Sequence, residues 1–137
     1  MREATLLAFY RDTLVPSRDE RRRAHESALE DVEQWCEFAK QLETLMQRDD
    51  PEGAFEALVD LGGEVKARAR VPSAETVFVD VGLGFMAEMT LAEATRRAAD
   101  AKATCETEAR ACLEALEKAE RACAEFESGL RQLMGLG

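Results

Sequence analysis

Hydrophobic positions in the last third of the chain recur in alternating steps of four and three. Starting at Leu91, the steps reach Thr95, Ala98, Lys102, Cys105, Ala109, Cys112, Leu116, Ala119, Cys123, Phe126, Leu130 and Leu133, with Thr95 and Lys102 as polar exceptions. A seam kept over about six heptads, with Glu and Arg filling the other positions, predicts a long helix packed on one partner helix in a left-handed coiled coil. Thr90 and Glu93 have the spacing of a capping box and mark its start. The first third repeats the pattern through His25, Ala28, Val32, Trp35, Ala39, Leu42 and Met46, and so supplies the partner. Ser17 and Glu20 form a second candidate capping box just after Pro16. The segment before Pro16 is therefore either a separate short helix or the kinked distal end of the first arm.

Between the arms the period changes. Asp49, Asp50 and Pro51 end the first helix, because a residue before proline is pushed out of the α region. Asp50 as cap and Pro51 at a first helical position suit a short helical turn through Ala54 to Ala57. Beyond it, Val65, Ala67, Ala69 and Val71 alternate with Lys66, Arg68 and Arg70, while Val77, Val79 and Val81 alternate with Phe78 and Asp80. That period of two belongs to half-buried strands. Gly62 with Gly63, and Gly82 with Gly84, supply turns, so four short strands make two hairpins between Ala57 and Met89. Isolated two-stranded ribbons are marginal, and their free edges invite pairing with other chains. An obligate partner is the expected solution, reached through Val59, Leu61, Val65, Val71, Val77, Val79, Val81, Phe85 and Met89. The fold class predicted is mainly α: one domain over 1–137, with an N-terminal arm (1–48), two inserted β-hairpins (57–89) and a C-terminal arm (90–134).

Composition agrees with long helices around a narrow seam, for 46% of the 137 residues are hydrophobic, 34% charged and only 6% aromatic. A formal net charge of −10 repels phosphate backbones and anionic lipid, so neither nucleic acid nor membrane is expected as a direct partner. The basic cluster Arg18, Arg21, Arg22 and Arg23 is interrupted by Asp19 and Glu20 and reads as a solvated helix face. No apolar run is long enough to span a bilayer, and Met1 to Tyr10 lacks the pattern of a signal peptide. A reducing compartment, the cytoplasm and also the nucleus, is the expected location. Cys36, Cys105, Cys112 and Cys123 form no CxxC pair and His25 is the sole histidine, so no metal site is expected. Gly82-Leu83-Gly84 is followed by another strand rather than a helix, which makes it a turn and not a phosphate loop. His25 lacks a nucleophile at a motif spacing, and Asp49 with Asp50 lies in a linker. No catalytic or cofactor-binding residue is therefore assigned, and Trp35 is read as core.

The run Leu58 to Ala94, LVDLGGEVKARARVPSAETVFVDVGLGFMAEMTLAEA, resembles the α-class prefoldin signature. Its points of likeness are Val59, Asp60, Leu61 and Gly62; Val71 and Pro72; Val79; Gly82, Gly84 and Phe85; and Glu88 with Thr90 to Ala94. The ending LRQLMGL, Leu130 to Leu136, is similar too, whereas the acidic Pro-Gly stretch Asp49 to Glu56 departs from the family. The resemblance implies an ATP-independent chaperone or co-chaperone subunit of a hetero-hexamer, whose body is built from hairpins and whose coiled coils reach outward. Two-hairpin subunits sit centrally in such an assembly, and one-hairpin subunits flank them. An adaptor or transcription cofactor that docks a folded regulator is the alternative. Antiparallel arms would bring Leu6, Leu7, Phe9 and Tyr10 near Phe126, Leu130, Leu133, Met134 and Leu136. Those side chains serve either as a contact for unfolded or assembling clients or as ordinary distal core.

Overall fold

The computed structural model describes residues 2–135; Leu136, expected at the helix ends, lies outside the described residues. Helix α1 (Arg2–Phe9) runs through a π-helical turn (Tyr10–Leu14) into α2 (Val15–Met46). Four strands follow, β1 (Phe55–Gly62), β2 (Val65–Val71), β3 (Thr76–Gly82) and β4 (Phe85–Thr90), and then α3 (Leu91–Leu133). The architecture is mainly helical, with two long helices and two antiparallel hairpins. The chain forms two compact units, 1–33 with 102–137, and 34–101.

In the first unit the helices run antiparallel, as Tyr10 stacks on Phe126 and the Cys123 thiol donates to the Leu14 carbonyl at 3.5 Å. The buried or half-buried positions Cys105, Ala109, Cys112, Leu116, Ala119, Cys123, Phe126 and Leu130 follow the predicted seam. His25, Ala28 and Val32 are their counterparts on α2. Pro16 neither starts a helix nor ends one. It has no N–H to offer the carbonyl four residues back, and its ring crowds that carbonyl. The chain widens the preceding turn instead, with the Val15 N–H bonding to the Tyr10 carbonyl in a π-helical step. Ser17 therefore lies inside a continuous helix, and the capping box proposed for it with Glu20 has no helix start to serve.

The second unit packs the end of α2, the hairpins and the start of α3. Its core is Leu42, Val79, Leu91, Ala94 and Ala98, flanked by Trp35, Phe38, Ala39, Leu45, Val77 and Met89. The seam predicted through Thr95 and Lys102 runs instead through Ala94 and Ala101, both buried. Burial thus steps by three from Leu91 to Ala94, and the two polar exceptions disappear. Thr95 is exposed, and its hydroxyl donates back to the Leu91 carbonyl at 2.8 Å. At the α3 entrance the Thr90 hydroxyl accepts from the Glu93 N–H at 3.2 Å and donates to the Glu93 carboxylate at 3.2 Å. That contact satisfies one of the free N–H groups of the first turn.

Ala54 to Ala57 is not a helical turn. Strand β1 begins at Phe55, and antiparallel partners Phe55↔Val71 and Ala57↔Ala69 hold the backbone extended. Arg48 organises the loop before it: one guanidinium nitrogen donates to the Pro51 and Gly53 carbonyls at 2.6 and 3.3 Å, and the group lies 4.5 Å from the Phe55 ring centroid. A second loop ties in where Ala74 N–H donates to the Glu52 carbonyl at 3.0 Å.

The two hairpins are built alike. In VDLGGEV (59–65) and VDVGLGF (79–85) an aspartate carboxylate, Asp60 or Asp80, accepts the N–H of Gly62 or Gly82 at 2.8 Å. Register slips by one residue at that glycine in each ribbon. The next two residues both have positive φ: Gly63 and Glu64 at 56° and 65°, Leu83 and Gly84 at 56° and 78°. These are the signs of a type I′ turn beside a bulge, whose twist matches that of the flanking strands.

Candidate functional site

Among the described residues, exposed apolar side chains concentrate on the hairpins and at the helix ends, with Leu29, Met46 and Leu113 scattered along the long helices. Each hairpin is a separate two-stranded sheet, so all four strands have an edge that no described strand covers. In β3–β4, residues of one parity face inward: Val77 pairs with Met89 and Val79 with Ala87. Val79 is only 3% exposed, sealed by Leu42, Leu91, Ala94 and Ala98. It was assigned to assembly on the strength of its alternation; the structure makes it subunit core instead, with Val77 and Met89 beside it. The alternation was right about the face but silent about which layer covers it.

The other predicted assembly residues divide. Leu61, Val65 and Phe85 are widely exposed, Val59 and Val81 less so, and Val71 is half-buried. Phe78, Met86, Leu58 and Leu83 were not assigned, and all four stand exposed. Their signal was in the sequence: Phe78 sits between Val77 and Val79, and a strand apolar on both faces needs cover on both. Leu83 is the extreme case, 97% exposed at a turn tip. A side chain with a Cβ at positive φ costs roughly 1–2 kcal/mol relative to glycine. An apolar residue kept there gains nothing within the described chain to offset that strain.

At the helix ends, Phe126 meets two rings. Phe9 meets it with ring centroids 5.6 Å apart, and Tyr10 stacks almost parallel at 6.0 Å. Tyr10 hydroxyl donates to Glu127 at 3.4 Å, and partial burial, then the nearby Glu127 carboxylate, push its phenol above the ordinary value. Leu130 is buried and Leu6 half-buried, whereas Leu7, Phe9, Leu133 and Met134 remain exposed. The predicted tip residues are therefore brought together within one unit, part as core and part as free apolar surface.

Among the described residues there is no buried polar or charged side chain and no cluster of three metal-ligating groups. Cys105 has its thiol pushed up, first by burial and then by Asp31 and Glu108, which makes it a poor nucleophile at neutral pH. No described helix is long and apolar enough to cross a membrane. What the arrangement offers is unpaired backbone edges, apolar ribbon faces and an aromatic helix end.

A family model described as Prefoldin subunit matches residues 18–135, which takes in both hairpins and most of each long helix. The chain belongs to the prefoldin family. This prefoldin is also 28% identical over 88 residues to Protein UXT homolog of Dictyostelium discoideum, a match covering 64% of the chain and 53% of that relative. The match thus spans about half the length of the curated relative. Among solved structures, the filamentous PFD of Methanocaldococcus jannaschii, determined by cryo-EM, superposes with a TM-score of 0.55 at 20% identity. The superposition covers 93% of this prefoldin and 98% of that chain, so the likeness is one of fold.

Proposed function

We propose that this prefoldin is a non-catalytic subunit of a hetero-oligomer, joined to other prefoldin-type subunits through its hairpins. Its helix ends contact unfolded or assembling client proteins, in the cytoplasm and also in the nucleus. The observation that carries this is apolar surface on unpaired ribbons: Leu61, Val65, Phe78 and Phe85 stand in water on strands that are all edges, and Leu83 at the turn between two of them. Strand addition from neighbouring subunits covers both the side chains and the free N–H and C=O groups. A charge placed at Val79 would disrupt the subunit's own core and so probe folding rather than assembly. Phe85→Glu and Leu61→Glu alter exposed positions instead. Co-expression with the partner subunits and size-exclusion chromatography should show both variants folded by circular dichroism yet absent from the complex. An intact complex carrying both variants would overturn the hairpin role.

A second reading, a coiled-coil adaptor or transcription cofactor holding one folded regulator, is favoured by the stacking of Tyr10 on Phe126 and the burial of Leu130. The exposed set Leu7, Phe9, Leu133 and Met134 separates the two. Replacing these four with Ser should abolish suppression of aggregation of a denatured test protein while leaving assembly intact. Retained suppression would favour the adaptor.

A further inference from the structure

The two edges of the first hairpin differ. Strand β1 holds the extra residue of the irregularity between Asp60 and Gly62, and a bulge twists an edge away from an incoming strand. Strand β2 pairs without interruption from Lys66 to Val71, and its far edge meets no described strand. One face of β2 carries Lys66, Arg68 and Arg70, all exposed; the other carries Ala67 and Ala69 between Val65 and Val71. The hairpin opposes Asp60 to Lys66 and Glu56 to Arg70, but sets Leu58 opposite Arg68. Among the described residues no ion pair reaches any of these three cations. So strong a positive stripe stands out in a chain of net charge −10.

We propose that β2 is the edge that receives a neighbouring subunit's strand, and that this strand is acidic. Its carboxylates sit at alternate positions opposite Lys66, Arg68 and Arg70, and bulky apolar side chains fill the intervening ones beside Ala67 and Ala69. This rests on the hairpins being assembly elements, and adds the chemistry by which a partner is chosen. Main-chain hydrogen bonds hold any strand equally, so side-chain charge has to discriminate. A second β2 in the same place would set cation against cation, which is refused. The chain's own β4 offers one acid on its outer face, Glu88, already taken by the Thr76 hydroxyl at 2.7 Å. Strand β1 of a second copy carries Glu56 and Asp60 on one face, but its irregularity at Asp60/Gly62, like that of β3 at Asp80/Gly82, turns the edge away from a partner, so the occupant is a strand of a different chain.

The test uses the full-length protein and two synthetic strand peptides, one alternating Glu with Leu and Phe, the other carrying Lys in place of Glu. By fluorescence anisotropy the acidic peptide should bind, more weakly as salt rises, and the lysine peptide should not. Arg68→Gln should weaken binding roughly three- to tenfold, and Arg68→Glu, with helicity unchanged, should weaken it further. Equal binding of both peptides would overturn the proposal. So would undiminished binding of an acidic peptide whose edge amides are N-methylated, since charge alone would then suffice. Self-assembly of the chain by itself, lost in Arg68→Glu, would overturn the assignment to a different chain. In the native complex, Arg68→Glu leaving assembly intact while Phe85→Glu dissolves it would sink the acidic strand alone. If neither variant disturbs the complex, the hairpin reading itself fails.

Discussion

Val79 and Phe85 lie on neighbouring strands of one ribbon and carry opposite kinds of information. Val79→Ala removes two buried methyl groups and should cost about 2 kcal/mol in urea unfolding. Phe85→Glu, at 67% exposure, should change the same measurement by less than about 0.5 kcal/mol. Equal losses for the two would mean that the inner and outer faces have been confused. Leu83→Asn places a residue tolerant of positive φ in an Asn-Gly turn and should raise stability by about 1 kcal/mol. If Leu83 meets a partner, the same change should weaken assembly while it steadies the subunit. Tyr10 and Cys105 both have values raised in the fold, chiefly by burial. Each therefore contributes stability that is present below its ordinary value and is lost as pH rises through the shifted one. The first unit should melt earlier at alkaline pH, and Tyr10→Phe with Cys105→Ser should flatten that decline in a pH series of thermal melts.

Among the elements, the hairpins were the most legible part of the sequence, because valines at a period of two between paired glycines leave few alternatives. Their bulges were not legible, since Asp60 and Asp80 act through local bonds to glycine N–H groups that no periodicity reports. The long helices were legible as a seam, but its phase slipped at Thr95 and Lys102. Alanine fits a close helix contact as well as a larger residue does, so stepping by four from Leu91 missed Ala94. Pro16 looked like a boundary because proline generally breaks hydrogen bonding; a π-helical turn absorbs the same loss without ending the helix. The loop around Arg48 was invisible, as its order depends on one side chain reaching two carbonyls and a ring. Arg48→Ala should speed hydrogen exchange in β1 while leaving α3 unchanged. Thr90→Ala should cost about 1 kcal/mol through the lost cap at the α3 entrance.

For the molecule as a whole, membership of the prefoldin family and the exposed ribbons point the same way. The helices bury their own seam, and one face of the second hairpin closes on them, yet the outer strand faces stand exposed and all four strands keep an edge that no described strand pairs. Net charge keeps such a protein dispersed, while the basic stripe on β2 and the apolar turn at Leu83 give the ribbons something to recognise. On the proposed function, strands of other subunits complete these sheets. Hydrogen–deuterium exchange of the full-length chain, alone and within its purified complex, distinguishes completed sheets from open ones. The outward-facing edge amides of β1 to β4, which no described strand pairs, should exchange quickly in the isolated chain and become strongly protected on assembly, with the α3 seam almost unchanged. Edge amides that are equally protected in both states, or equally unprotected, would contradict that completion.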